Sequence, residues 1–272
     1  PSAGTATLTA NSSYDIFFAK YDGASNYLWA KKIGGGTSHD FGRSIAVDDA
    51  GNVYITGSFQ GAGDDFDPGA GIVNLPYVGG SDIFYAKYDA AGTYVWAKSI
   101  GSTLADVGSS IAVDGAGNVY VTGYFQGTAD FDPGTDTANL TPIGGSDIFY
   151  AKYDAAGNYL WANGTGSTTN GNGNGIAVDG TGNVYLTGRF GGTADFDPGA
   201  GTANITSTGS YDVFFAKYSL CVLSTTTVSE AICANDSLFI QGGWQNSAGT
   251  YYDTSLSVDG CDSIIATGLF IN

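Results

Sequence analysis

Methionine is absent from the 272 residues, histidine occurs once (His39) and glutamate once (Glu230). Strong helix formers are therefore scarce, while Tyr, Phe, Thr, Val and Ile abound. That balance favours strands joined by tight turns and argues against a helical or α/β fold. Cations are few as well: nine Lys and Arg stand against 26 acidic residues, a formal charge of −17. Phosphate contacts need clustered Lys and Arg, so nucleic acid and anionic membranes are not expected as partners. The acidity serves solubility and mutual repulsion, and the sharper alternative is cation binding, Ca²⁺ if the chain works outside cells. No apolar run approaches the roughly 18 residues of a membrane span.

These shortages also bear on catalysis. A Ser-His-Asp triad would rest on one loop histidine, and a His-rich zinc site cannot form. Glycines sit in hairpin turns rather than in a nucleotide-binding loop that opens a helix. Paired carboxylates for glycoside hydrolysis are offered only by the general abundance of Asp. The chain is expected not to be an enzyme. Its three cysteines, Cys221, Cys233 and Cys261, lie in the last quarter, which suggests a local disulfide in an oxidising compartment.

What is present is repetition. Ser81-Asp82-Ile83-Phe84-Tyr85-Ala86-Lys87-Tyr88-Asp89 recurs intact from Ser146, with variants around Asp15 and Asp212, at offsets of 67, 65 and 65 residues. Trp29, Trp96 and Trp161 keep the step, as do the Ile-Ala-Val-Asp runs at Ile45, Ile111 and Ile176. Each unit of about 65 residues reads as four strands. The Ile-Ala-Val-Asp run comes first. An Asp-x-x-Gly-Asn turn (Asp48–Asn52, Asp114–Asn118, Asp179–Asn183), whose Gly and Asn supply positive φ, leads into the second. An acidic connection leads to the Asp-Ile-Phe-Tyr-Ala-Lys-Tyr strand, and a turn such as Ala90-Ala91-Gly92 leads to the fourth. This predicts an all-β fold of β-propeller-type blades, whose apolar runs suit sheets packed face to face. A flat β-solenoid is the competing reading. Two strands in an opening unit, four in each of two full units and three in a last unit make thirteen.

The combination Asp-Ile-Phe-Tyr-Ala-Lys-Tyr-Asp, Tyr-Leu-Trp-Ala, Gly34-Gly35 and Ile45 to Gly57 resembles the SBBP family, repeats named for their relation to seven-bladed propellers. The resemblance covers residues 1 to 218 and implies a secreted bacterial surface protein with no catalytic residues to carry over. The chain opens at Pro1 inside a repeat, so it is expected to be processed or excerpted from a longer protein. Closure then has three open routes: blades before Pro1, completion of the last blade by the N-terminal segment, or strands from a neighbouring subunit in head-to-tail assembly. Residues 219–272 look like the small Ig-like modules of surface proteins exported by the type IX route. A Cys233–Cys261 disulfide would close a loop of about 29 residues and contribute about 3–4 kcal/mol. Cys221 is left for an inter-subunit bridge, an unseen partner or a free thiol.

The candidate site residues lie in the acidic connections. Asp65 with Asp67, Asp130 with Asp132, and Asp195 with Asp197 could each aim two carboxylates at Ca²⁺. No cofactor is otherwise required. The favoured reading of the same residues is a Pro-Gly turn whose Asp side chains cap backbone amides. Lys20, Lys87, Lys152 and Lys217 are expected to ion-pair with a neighbouring blade, and the repeat Trp residues to sit in the core. Trp244 is the expected exposed aromatic. The function expected is a non-catalytic, extracellular structural or adhesive protein, a self-associating subunit of a surface layer, fibre or filament. The alternatives are a module binding surface glycans and, third, a glycan-acting enzyme.

Overall fold

The computed structural model describes residues 6–11, 14–36, 38–219, 225–232, 238–240, 243–256 and 262–271. Among them there is no helix. The chain divides into two compact units, Pro1–Tyr218 and Ser219–Asn272.

In the first unit, strands β1 (Ile16–Tyr21) and β2 (Tyr27–Ile33) form an antiparallel half-blade. Strands β3 (Phe41–Val47), β4 (Val53–Phe59), β5 (Asp82–Tyr88) and β6 (Tyr94–Ile100) form a full four-stranded meander in sequence order. The second full blade begins with β7 (Val107–Val113) and β8 (Val119–Phe125). Its connection folds into a short pair, β9 (Ala129–Asp130) with β10 (Asn139–Leu140). It then continues with β11 (Asp147–Tyr153) and β12 (Tyr159–Thr165). The last blade has β13 (Gly171–Val178) and β14 (Val184–Phe190), a connecting pair β15 (Thr193–Asp195) and β16 (Asn204–Thr206), and β17 (Asp212–Tyr218). The thirteen blade strands are the ones the repeat predicts; the two small connecting pairs are not. The sheets stand in a row and none closes on itself.

The turn chemistry departs from expectation at one residue type. Gly51, Gly117 and Gly182 have φ of +81°, +82° and +87°, but the following Asn does not adopt positive φ. Asn118 instead donates both its backbone N–H and its Nδ2 to the Asp114 carboxylate, as Asn52 does to Asp48 and Asn183 to Asp179. The Tyr120 hydroxyl donates to the same carboxylate at 3.0 Å. Burial pulls Asp114 upward, but these bonds outweigh it and hold the carboxyl below its ordinary range.

Blades pack forward face on backward face. Tyr54, Ile83, Tyr85 and Ile100 of the first full blade lie on Val119, Val121, Phe149 and Tyr153 of the second. The same arrangement joins the half-blade to the first full blade, and the second full blade to the last. One aromatic contact recurs at all three interfaces: Phe18–Tyr88, Tyr85–Tyr153 and Tyr150–Tyr218, with ring centroids 4.7, 4.3 and 4.6 Å apart. The first strand of each blade lies against the first two of the blade before it: β7 contacts β3 and β4, and β13 contacts β7 and β8. There Ile111 N–H donates to Ser44 Oγ and Ile176 N–H to Ser110 Oγ.

In the second unit, β18 (Thr225–Ile232) pairs parallel with β22 (Asp262–Ile271), which pairs antiparallel with β21 (Gly249–Leu256). A separate hairpin joins β19 (Leu238–Ile240) to β20 (Gly243–Gln245). Cys221, Cys233 and Cys261 lie outside the described residues, and with them the expected disulfide and inter-subunit thiol. Among the described residues no helix is long and apolar enough to cross a membrane.

Candidate functional site

The acidic connections are built as clamps. Phe66 and Phe131, the residues between the paired Asp, are buried and pack 5.1 and 5.0 Å from Phe84 and Phe149 on the third strand of their blade. Phe196 meets Phe214 at 4.9 Å in the same way. The flanking carboxylates tie down the backbone around this plug. Asp65 Oδ1 accepts from the amides of Asp67 and Val73, and Asp67 Oδ1 from Gly69. Asp130 and Asp132 repeat this with Asp132, Ala138 and Gly134. Asp195 and Asp197 do so with Asp197, Ala203 and Gly199. One oxygen of each predicted calcium ligand is thus committed to amides, leaving Oδ2 for solvent or a cation. Among the described residues no group of three or more His, Cys, Asp or Glu side chains comes together that could hold a metal ion.

The strand-opening aspartates form a second, buried set that sequence reasoning passed over. Asp82 Oδ2 accepts the Val78 amide at 2.7 Å, and Asp147 accepts those of Ile143 and Ser167. Burial pushes Asp82 up to about 6, against the Val78 amide that pulls it down, and burial also raises Asp106 and Asp147. Their recurrence ahead of each apolar strand was the signal that could have found them.

The repeat lysines behave otherwise than expected. Lys87, Lys152 and Lys217 each place Nζ over the ring of their cross-strand tyrosine, Tyr54, Tyr120 and Tyr185, at 5.0, 5.0 and 5.6 Å. The ion pair that Lys152 makes, 3.9 Å to Asp114, is within its own blade. The cross-strand register puts a Tyr directly opposite each of these Lys residues on the adjacent strand. Lys20 reaches to the next blade, where it donates to the Ala90 carbonyl at 3.3 Å. Trp96 and Trp161 are partly buried against the core, and Trp96 donates through Nε1 to Ala155 O of the following blade. The His39 ring lies tilted against Tyr14, centroids 5.2 Å apart. Trp244 is exposed.

Two clefts are open grooves between successive blades. One, of about 410 Å³, is lined by Asp48, Tyr54, Lys87 and Asp114; another, of about 400 Å³, by Asp82, Lys98, Asp130 and Asp132.

Both ends of the row expose apolar side chains that the interior blades bury. Phe84 and Phe149, on the backward faces of the full blades, are wholly buried, yet Phe17, at the same repeat position of the half-blade, is 69% exposed. On the forward faces Ile83, Ile148, Tyr85 and Tyr150 are buried, while their counterparts in the last blade, Val213 and Phe215, are 81% and 72% exposed. Tyr21 at one end and Tyr211 at the other are exposed beside them.

This is a row of propeller-type blades, and the comparison with known families points the same way. Residues 28–58 and 95–128 match the SBBP beta-propeller repeat, each match running from the fourth strand of one blade through the first two of the next. The chain is 34% identical over 178 residues to an uncharacterized WD repeat-containing protein, L264, of Acanthamoeba polyphaga mimivirus. It is 29% identical over 170 residues to the regulatory protein FlaEY of Caulobacter vibrioides. Each alignment takes in 61% of this chain but only 13% and 17% of those proteins, so the chain spans a small fraction of the relatives' length.

Proposed function

We propose that this chain is a non-catalytic, extracellular structural or adhesive protein that associates head to tail with a second copy, as a subunit of a surface layer, fibre or filament. One observation carries the reading. The side chains exposed at one end of the row are of the kind that the blades bury against the kind exposed at the other. Within the row, a forward Ile-x-Tyr face, or Ile16-x-Phe18 in the half-blade, meets a backward Phe-x-Ala-x-Tyr face three times over. The last blade offers Val213 and Phe215 forward, and the half-blade offers Phe17, Ala19 and Tyr21 backward. Such a contact is heterologous, and unless its rotation closes a ring it propagates. Exposed apolar patches of this kind mark association surfaces, and a net charge of −17 sets a repulsion that the contact must overcome.

The test is association measured by light scattering on size-exclusion fractions and by negative-stain imaging. The unaltered chain is expected to grow with concentration. Phe17→Asp and Phe215→Asp each remove one face and are expected to be monomeric alone, and their mixture to stop at a heterodimer through the two intact faces. A strictly monomeric unaltered chain at high concentration would sink the proposal.

A glycan-binding role has one observation in its favour, the exposed Trp244 in the second unit. Glycan-array signal lost on Trp244→Ala would support it, and a blank array would remove it.

A further inference from the structure

The first full blade breaks the repeat at a buried position. Six residues lie between Phe59 and Phe66, where five lie between Phe125 and Phe131 and between Phe190 and Phe196. The longer loop puts a carboxylate, Asp64, where the other blades have Ala129 and Ala194, both wholly buried. Asp64 is only 1% exposed, and Asp40, the counterpart of Asp106, is 2% exposed.

In the second full blade Asp106 is satisfied on both oxygens, by the amides of Ser102 and Gln126. In the first, Asp40 Oδ1 receives the Gln60 amide at 3.4 Å, and the Gly36 amide, counterpart of Ser102, goes to Asp64 Oδ1 at 2.7 Å. Oδ2 of Asp40 and Oδ2 of Asp64 are buried and receive no N–H or O–H donor from other residues, and the two carboxyl groups lie within hydrogen-bonding reach of one another. Among the described residues no basic side chain is paired with either carboxylate; Lys32 pairs with Asp15 and Lys152 with Asp114.

The walls are glycine backbone. A Cβ on Gly34 would stand 2.5 Å from Asp40 Oδ2; one on Gly61 would stand 3.1 Å from Asp64 Oδ2. The two loops are joined beside the pair, where Gly34 N–H donates to Asp65 O at 2.8 Å. Two carboxylates closed off from water, with oxygens unserved and no basic partner, are costly to bury as bare anions. A hard divalent cation offsets that cost, and paired carboxylate oxygens are the donor type that suits Ca²⁺.

We propose a divalent-cation site, for Ca²⁺, built on the carboxylates of Asp40 and Asp64, with backbone carbonyls of the loops at 34–36 and 60–63 completing the oxygen shell. It is distinct from the paired aspartates of the connections, recurs in neither of the other blades, and staples the half-blade's exit loop to the first full blade.

The repeat supplies its own control, because Asp64→Ala restores the residue found at the same position in the other blades and is expected to fold. Calorimetric titration with CaCl₂ of the chelator-stripped full chain is expected to show one site, and thermal melts to shift upward in CaCl₂ over EDTA. Asp64→Ala and Asp40→Asn are expected to weaken that binding at least tenfold and to lose the shift, while Asp64→Ala in EDTA melts no lower than the unaltered chain. An acidic surface also attracts Ca²⁺ loosely, so the variants decide. Equal binding by the unaltered chain and Asp64→Ala would overturn the proposal. So would no binding by the unaltered chain at millimolar CaCl₂, which would mean that the pair shares a proton instead.

Discussion

Phe17, Phe84 and Phe149 hold one repeat position in three sequence contexts that are nearly the same, so substituting each by Ala isolates the effect of a neighbouring blade. Phe149 is wholly buried, 5.0 Å from Phe131 and against the forward face of the first full blade. Burying a phenylalanine removes about 200 Å² from water, worth about 5 kcal/mol as an upper bound, and Phe→Ala in a closed core costs about 3–5 kcal/mol once the cavity is counted. Phe17 keeps only about a third of that burial, being 69% exposed, and its site opens to solvent, so no closed cavity forms. Phe17→Ala is therefore expected to cost about 1 kcal/mol, and Phe84→Ala and Phe149→Ala about 3–5 kcal/mol. The assay is urea unfolding followed by circular dichroism in dilute protein, with hydrogen exchange to place the loss in β1, β5 or β11. Repeat rows need not unfold as one step, which is why the local readout is needed. Equal costs at Phe17 and Phe149, or a cost below about 1 kcal/mol at Phe149, would refute the claim that neighbouring blades hide these faces.

Other substitutions and conditions test the remaining parts. Ser25 has φ of +64° at the turn position that Gly92 and Gly157 hold elsewhere, so Ser25→Gly is expected to stabilise by about 0.5–1 kcal/mol, and a lower melting temperature would contradict it. Gly123 faces the bulged strand with space for no side chain: a Cβ would fall 1.9 Å from Val107 O, and Gly57 and Gly188 are equally tight. Gly123→Ala is expected to cost about 2–3 kcal/mol by denaturant unfolding, against near neutrality if the bulge can shift. Asp82, raised to about 6, and Asp106 and Asp147, also raised from 3.8, bind more protons folded than unfolded. Stability measured in EDTA is thus expected to rise as pH falls from about 8 to about 5. Below 3.8 the turn carboxylates, Asp114 among them, hold the opposite sign, and stability falls as they protonate. A melting temperature that drops between about pH 8 and pH 5 would contradict the assignment.

The blades were legible because the repeat states its own pattern: apolar runs at a 65-residue step, and Asp-x-x-Gly-Asn turns whose glycine needs positive φ. The capping role of Asp65, Asp130 and Asp195 was open to the same reasoning, since Asp bonds locally to amides two residues on. The lysines were misread, because strand alternation says which face a side chain takes but not that a tyrosine on the adjacent strand will receive it. The buried pair Asp40 and Asp64 was invisible as a pair. Their separation of 24 residues matches no ligand spacing, and what joins them is one added loop residue that puts a carboxylate into a slot the other blades fill with alanine.

By itself, the sequence determined the class of fold, the thirteen blade strands and the glycine of each Asp-x-x-Gly-Asn turn, because these follow from local pattern and from bonds between residues close along the chain. The tertiary structure alone decided which copy of each residue is buried. Phe17 and Phe149 are the same residue in the same strand, and only the presence or absence of an adjoining sheet separates a solvent-facing ring from a core one. Burial is a property of neighbours in space, and a repeat cannot record in its own letters whether the next copy is there.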